Sequence, residues 1–317
     1  MKWFATLISI MLLMPLLSSC SSSSDAAPSG EIITIGYQKG ALTLSLKEDV
    51  VFRSEMEELG YVVEWAEFNT GSSTLEALGS GSTDLANAGD TPSIYALANG
   101  QPIDYIAATD NAFESEGILV RPNSGINSID DLEGKRIAYN RASIAQYLLF
   151  KALEAADLTF EDIETVHLGP SDANIAFERG MVDAWVTWDP YLAASEGNGN
   201  RVLANAEGLV SYRSFFFANS RFASEHPQAV HAYIEALQRI GQEIEADPSD
   251  AAAIMEKATG LPHDTWETIL QRNNNVPSYV DEDAISDLQA QVNDLLDIGL
   301  LDSEVIIADH VWRTGNE

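Results

Sequence analysis

A pattern of glycine, strand and acidic loop occurs twice in this chain of 317 residues, and it constrains the fold more than any other feature. In residues 81–90 and again in residues 180–189, a glycine is followed three residues later by an aspartate and, after six more, by a second aspartate. Each aspartate pair brackets a short apolar run of strand type. The repeat predicts two α/β lobes that face each other across a cleft and clamp a ligand; a chance match between common α/β patterns is the alternative.

The stretch 82–99 indicates what one of these units can bind. A buried strand over 84–88 is followed by the loop Gly89-Asp90, and Thr91-Pro92 are typical of an N-cap and a first helical residue. Unpaired N–H groups and the positive end of the dipole attract anions to such a helix start. The stretch therefore predicts a small anionic ligand, unless it is an ordinary strand-to-helix turn.

A second helix start of this kind lies in the other proposed lobe. The strand predicted over 135–139 is followed by a polar loop and by Ser143, a favoured N-cap residue with Gln146 at the capping-box position. Ile144 and later apolar residues recur at helical spacing. We therefore expect both lobes to present N–H groups to the cleft.

Two more polar loops follow predicted strands, which is where α/β proteins bind ligands. Gln38-Lys39-Gly40 follows a strand over Glu31–Tyr37, and Trp188 with Asp189 follows the strand of the second copy. Trp188 can stack on a ligand, whereas Trp185 is expected in the core. Further strands are predicted over 61–68, 102–108, 117–120 and 214–219. Helices are predicted over 42–59 and after a cap at Ser72 or Ser73. Near the C-terminus, helices are predicted over 229–246, 251–258 and 266–270, where Pro227, Pro248 and Pro262 mark their starts, and over 283–298.

The N-terminus predicts export and lipid anchoring. Lys2 precedes an apolar run over 4–17, which is shorter than the ~20 residues of a membrane span, so residues 1–19 are interpreted as a signal peptide. Leu-Ser-Ser-Cys, ending at Cys20, resembles a bacterial lipobox, and a sole cysteine can form no internal disulfide. Residues 20–30 would then be the lipidated cysteine and a flexible tether on the extracytoplasmic face of the cell membrane.

Charge and missing motifs exclude several classes of function. With 49 acidic and 17 basic residues, the formal net charge is −32, which excludes nucleic acid as a partner. The five histidines show no metal-ligand spacing, and no nucleophile-elbow, phosphate-loop or dinucleotide motif is present. The alternative to a binding protein is an enzyme in which Asp90 and Asp189 act as paired acid–base carboxylates.

The order of several short motifs resembles the aliphatic sulfonate-binding proteins of bacterial ABC importers. The motifs are Ile-Gly-Tyr-Gln-Lys-Gly at 35–40, Gly-Ser-x-Asp-Leu from 81, Gly-Asp-x-Pro at 89–92, and Val-Asp-Ala-Trp with Trp-Asp-Pro-Tyr across 182–191. This resemblance implies a type II periplasmic-binding-protein fold, with two α/β lobes joined by two crossing segments. It also implies delivery of the bound ligand to a membrane permease and its ATPase, with no catalysis and no cofactor.

The resemblance divides the chain into lobe 1 over 31–116, lobe 2 over 117–218, and a mostly helical return to lobe 1 over 219–317. A monomer is expected. The predicted set for a small anionic ligand, a sulfonate, is Gln38, Lys39, Gly40, Gly89, Asp90, Thr91, Glu116, Arg141, Ser143, Ile144, Trp188 and Asp189.

One departure from the relatives leaves the ligand open. Where they have Gln-Lys-Gly-Ser-Ser or a Gly-Ser/Thr turn, this chain has Asn-Arg-Ala-Ser-Ile, so that Arg141 offers a guanidinium to an oxyanion and Ile144 adds an apolar wall. Asp90, Asp189 or Glu116 can pair with an amine such as that of taurine. The candidates are therefore an alkanesulfonate, taurine, or the nitrate or thiamine pyrimidine precursor bound by relatives of the same fold.

Overall fold

The computed structural model describes residues 30–40 and 42–313. The predicted signal peptide, Cys20 and the tether before residue 30 lie outside the described residues. Within the described residues, no helix is long and apolar enough to cross a membrane.

The described chain forms two five-stranded sheets. The first contains β1 (Glu31–Gln38), β2 (Tyr61–Phe68), β3 (Leu85–Gly89), β4 (Ile103–Ala108) and β10 (Ser214–Asn219), in the order β2-β1-β3-β10-β4. The second contains β5 (Glu116–Val120), β6 (Arg136–Tyr139), β7 (Glu164–His167), β8 (Ala184–Trp188) and β9 (Arg201–Asn205), in the order β7-β6-β8-β5-β9. In each sheet four strands run in the same direction, and the strand next to one edge, β10 or β5, is antiparallel to both its neighbours. This confirms the predicted two-lobed α/β architecture.

Twelve α-helices cover the faces of the sheets within the described residues. They are α1 (Leu42–Glu48), α2 (Val50–Glu58), α3 (Gly71–Gly79), α4 (Asp90–Ala98), α5 (Ile144–Ala155), α6 (Pro170–Glu178), α7 (Tyr191–Gly197), α8 (Ser220–Glu225), α9 (Pro227–Ala246), α10 (Ser249–Thr259), α11 (His263–Arg272) and α12 (Glu282–Asp297). Short 3-10 helices lie at Phe113–Ser115, Ile129–Leu132, Phe160–Asp162 and Ile307–His310.

Side-chain caps explain where two of the helices begin, and they correct two predictions made from the sequence. The helix predicted over 42–59 is divided, because the carboxylate of Asp49 accepts hydrogen bonds from the N–H groups of Val51 and Phe52 and begins α2. Thr70, rather than Ser72 or Ser73, caps α3. The proline signals were right: Pro227 is the first residue of α9, and α10 and α11 follow directly after Pro248 and Pro262.

The two copies of the sequence repeat occupy equivalent places in the two lobes. Asp84 accepts a hydrogen bond of 2.8 Å from the backbone N–H of Thr34 in β1, and Asp183 accepts one of 3.0 Å from that of Arg136 in β6. The glycine that opens each copy has a φ of 75° or 71°, which favours glycine. The repeat therefore reflects a common way of holding β3 and β8 against their parallel neighbours.

The lobes are joined by two segments that cross between the sheets, from β4 to β5 and from β9 to β10. Asn111 ties these segments together, because its Oδ1 accepts from the Oγ of Ser211 at 2.8 Å and from the N–H of Tyr212 at 2.7 Å. Strand β10 pairs only with first-sheet strands, so the chain returns before Ser214, earlier than the predicted boundary at residue 218.

A continuous apolar core closes the side of the molecule behind the cleft. It includes Ile94 of α4, Leu148 of α5 and Leu288 of α12, and it reaches both sheets. A second cluster packs α1, α9, α10 and α11 on the other face of the first sheet, and a third packs α6 and α7 on the second sheet. The lobes are therefore separated only on the cleft side, where the carboxyl ends of strands from the two sheets face each other.

Candidate functional site

A cavity of about 470 Å³ lies between the carboxyl ends of β1, β2 and β3 and those of β6 and β8. Such strand ends are where ligands bind in α/β sheets. Its lining is rich in amide and hydroxyl groups, which donate and accept hydrogen bonds without adding charge. The polar lining residues include Gln38, Asn69, Thr70, Asn87, Thr109, Asn140, Ser143, Asn174, Tyr212, Asn273, Asn274 and Asn275.

The first-lobe wall is built from the ends of β1 and β3. The Nε2 of Gln38 lies 3.4 Å from the carbonyl oxygen of Asn87, and the Asn87 side chain accepts from the hydroxyl of Thr43 at 3.0 Å. Lys39 is paired with Glu67 at 3.3 Å on the rim. Gly40 has a φ of 91°, and a Cβ there would lie 2.5 Å from the Trp266 ring.

The start of α5 presents N–H groups to the second-lobe wall. Ser143 is the N-cap residue as predicted, but its hydroxyl donates to the carbonyl of Asn140 at 2.7 Å instead of capping the helix. The Oε1 of Gln146 accepts from Ala142 N–H at 2.8 Å, so the predicted capping box does not form. With no side-chain cap and no acidic residue in its first turn, this helix start is free to receive an anion. Ala142 has a φ of 51°, which lies in the left-handed region that favours glycine.

The start of α4 differs because it carries its own carboxylate. The helix begins at Asp90 with Gly89 as N-cap, so the predicted N-cap at Thr91 was wrong. Asp90 accepts from the N–H and the hydroxyl of Thr91, and that hydroxyl also accepts from the Nε2 of Gln291 at 2.6 Å. The Asp90 carboxyl and Thr91, both predicted to bind the ligand, are therefore already hydrogen-bonded to each other.

Buried carboxyl groups lie beneath the cleft. Asp90 is 3% exposed, and burial raises its pKa to about 7 against the hydrogen bonds that favour its ionised form. Glu116 has no exposed surface and neither oxygen has a hydrogen-bond partner among the described residues; burial, and secondly the charge of Asp90, raise its pKa well above the usual range. The pKa of the half-buried Tyr212 is raised first by desolvation and then by the charges of Glu116, Asp189 and Asp90.

Asp189 lies in the cleft wall and is held by Arg272. The Nε of Arg272 donates to Oδ2 at 2.7 Å and its Nη2 donates to Oδ1, while its Nη1 contacts Glu196 at 3.0 Å. Burial raises the pKa of Asp189, and the hydrogen bonds and charge of Arg272 oppose that shift.

The structure brings eight predicted residues to the cavity wall: Gln38, Lys39, Gly40, Gly89, Ser143, Ile144, Trp188 and Asp189. Asp90, Thr91 and Glu116 are buried beneath it, and Arg141 is exposed outside it. Trp185 is buried in the core, as expected.

Sequence reasoning missed several residues of the wall, namely Asn87, Asn140, Asn174, Tyr212, Arg213 and Asn273–Asn275. The run of three asparagines between a helix and Pro277 was the one visible signal. Among residues 30–40 and 42–313, no group of three or more His, Cys, Asp or Glu side chains can hold a metal ion.

Comparison with known proteins agrees with this geometry. Residues 57–251 match the family described as "NMT1/THI5 like". The chain is 32% identical over 301 residues to a "Putative aliphatic sulfonates-binding protein" of Escherichia coli (strain K12), covering 94% of each chain. The desulfurization enzyme DSZB shares the fold at 16% identity with a TM-score of 0.67.

Two solved structures cover nearly the whole chain. The periplasmic aliphatic sulphonate binding protein SsuA of Escherichia coli has a TM-score of 0.83 at 30% identity, over 90% of this chain and 93% of that one. The alkanesulfonate-binding protein SsuA of Xanthomonas axonopodis pv. citri, bound to MOPS, has a TM-score of 0.83 at 32% identity, over 91% of this chain and 100% of that one. These relatives confirm the predicted type II fold and a binding protein rather than an enzyme. The chain belongs to the NMT1/THI5-like family, and its resemblance to the aliphatic sulfonate-binding proteins within it is confirmed.

Proposed function

We propose that the protein captures a small aliphatic sulfonate, an alkanesulfonate or taurine, and delivers it to an ABC permease and its ATPase. The observation that carries this proposal is the cleft between the two sheets, where one uncapped helix start and many neutral donors meet around a half-buried indole. Relatives along nearly the whole chain are named as sulfonate-binding proteins, which supports the same ligand class here.

The two helix starts give the ligand an orientation. The start of α4 is occupied by the Asp90 carboxyl group, which is hydrogen-bonded to Thr91, whereas the first turn of α5 has no acidic residue. The sulfonate oxygens therefore bind at Ser143 and the N–H groups after it. The apolar part of the ligand lies against Ile144 and Trp188, which line the same cavity.

Local donors must supply most of the affinity. A helix terminus contributes roughly 0.3–1 kcal/mol, whereas micromolar binding needs about −8 kcal/mol. Hydrogen bonds to charged groups contribute roughly 1.5–3 kcal/mol each. Three amide donors, such as Gln38, Asn140 and Asn174 of the lining, would contribute roughly 4.5–9 kcal/mol and can therefore provide the difference.

The ligand class is tested by thermal unfolding with ethanesulfonate, taurine, sulfate, nitrate and an aminopyrimidine. A ligand at 100 times its Kd stabilises the folded protein by about 2.7 kcal/mol, which raises Tm by several degrees. We expect a rise with a sulfonate, and calorimetry to show that Trp188→Ala weakens its binding at least tenfold. Trp312→Ala, distant from the cleft lining, is the control. Stabilisation by nitrate or the pyrimidine alone would replace the sulfonate with that ligand, and turnover of a bound ligand would contradict a binding protein.

The relatives are periplasmic binding proteins, so this protein works outside the cytoplasm. Its lipid anchor at Cys20 and its monomeric state are part of the proposal. Cys20→Ala should move the protein from the membrane fraction to the soluble fraction after cell lysis. An unchanged distribution between the two fractions would rule out the anchor.

A further inference from the structure

The Asp189 carboxylate in the cleft wall is matched by a guanidinium directly behind it. Both carboxylate oxygens of Asp189 accept from Arg272, while Asp189 lines the cavity and Arg272 does not. The side chains are 6% and 13% exposed, so water screens this pair little. The fork of an arginine fits such a two-point contact, which a lysine ammonium cannot reproduce.

The two partners come from different lobes. Arg272 ends α11, which is fixed in the first-lobe core by Trp266, Ile269 and Leu270. Asp189 directly follows β8 of the second sheet. The ion pair therefore links the two lobes at the cleft wall.

The pairing changes the charge that a ligand meets. Of the three carboxyl groups predicted to pair with an amine, Glu116 is buried beneath the wall and Asp90 is bound to Thr91. Asp189 alone lines the cavity, and its charge is compensated by Arg272. A ligand amine would have to compete with a two-point guanidinium contact that is already formed.

We propose that Arg272 is a specificity-determining residue, which neutralises Asp189 so that the closed cleft accepts alkanesulfonates without an amine and discriminates against aminosulfonates such as taurine. This inference rests on the proposed function. It makes Arg272 a positioning residue, because it acts on the ligand through Asp189.

The test is the ratio of the Kd values for taurine and ethanesulfonate, measured by calorimetry on the full chain. The wild-type protein should bind ethanesulfonate at least tenfold more tightly than taurine. Arg272→Gln releases Asp189, which can then receive the ammonium group, so the ratio should shift at least tenfold toward taurine. The double variant Asp189→Asn/Arg272→Gln removes both charges and should return the ratio to within about threefold of the wild-type value.

A matched control separates specificity from general loss of an ion pair. Arg136→Gln breaks the contacts of Arg136 with Asp183 in the same lobe, at 3.0 Å and outside the cleft, and should leave the ratio unchanged. An unchanged ratio in Arg272→Gln would overturn the inference alone. If Arg272→Gln does not fold, the double variant still tests the inference. A ratio within about threefold of the wild-type value is the expected result, whereas a selective loss of taurine binding would show that Asp189 already accepts the amine in the wild-type protein and would overturn the inference. A wild-type protein that binds neither sulfonate would overturn the proposed function and this inference with it.

Discussion

Asp90→Asn should become progressively more stable than the wild-type protein as the pH rises from 4 to 8. The pKa of Asp90 is raised from 3.8 to about 7 in the folded protein, mainly by burial. Below pH 3.8 the carboxyl is protonated in both states. Between pH 3.8 and 7 the unfolded chain loses the proton while the folded protein keeps it, so stability falls as the pH rises and then levels off. At 1.36 kcal/mol per pKa unit, the loss is about 4 kcal/mol.

Denaturant unfolding of both proteins across this pH range measures the effect. Asparagine keeps an oxygen that can accept from Thr91 but cannot ionise, and Glu116 is present in both proteins. Asp183→Asn is a control of opposite sign, because hydrogen bonds from Arg136 lower the pKa of Asp183. The ionised Asp183 stabilises the folded protein above its unfolded pKa of 3.8, so the difference between Asp183→Asn and wild type should stay nearly constant from pH 4 to 8 and shrink only as the pH falls below 4. A constant difference between Asp90→Asn and wild type from pH 4 to 8 would contradict the prediction.

Gly241→Ala should destabilise the protein and weaken ligand binding together. Gly241 lies in α9, and a Cβ there would be 2.1 Å from the carbonyl oxygen of Asn275 and 2.9 Å from the Cα of Val276. Both are backbone atoms, so no side-chain rotation relieves the overlap. Overpacking costs roughly 1–3 kcal/mol, and alanine regains about 1 kcal/mol of helix propensity. Because the overlap is with backbone atoms, we expect a net loss near the upper end of the difference between these two terms, up to about 2 kcal/mol, and a displaced cleft segment.

Gly197→Ala is the matched control, since Gly197 ends α7 and a Cβ there would meet nothing within 4 Å. It should be at least as stable as wild type, with unchanged affinity. Equal unfolding midpoints for Gly241→Ala and wild type would show that the helix and the asparagine segment can separate at no cost. Lost stability with full affinity would show that residues 273–275 do not contribute to binding.

Structural features that depend on residues close together in the sequence could be predicted. Strand ends, glycine turns and proline helix starts are local, so the polar loops at Gln38 and Ser143 were located correctly. The partners of the site's polar groups could not be predicted, because they come from distant parts of the chain. Arg272 is 83 residues from Asp189, and Gln291 is 200 residues from Thr91.

Local sequence patterns also could not predict which side chains are exposed, buried or in the cleft wall. Arg141 and Ile144 are three residues apart, yet only Ile144 lines the cleft, because the turn at Ala142 directs the preceding residue away from it. Glu116 begins a strand whose residues are all buried, so its carboxyl is enclosed by packing from both lobes. Both outcomes are set by tertiary contacts.

The link that Asn111 makes between the crossing segments has a mechanical consequence. Two separate hinges would let the lobes twist as well as open, but segments bonded to one amide oxygen must bend together. We therefore expect the lobes to rotate about a single axis. Opening and closing of the cleft is then described by a single angle between the lobes.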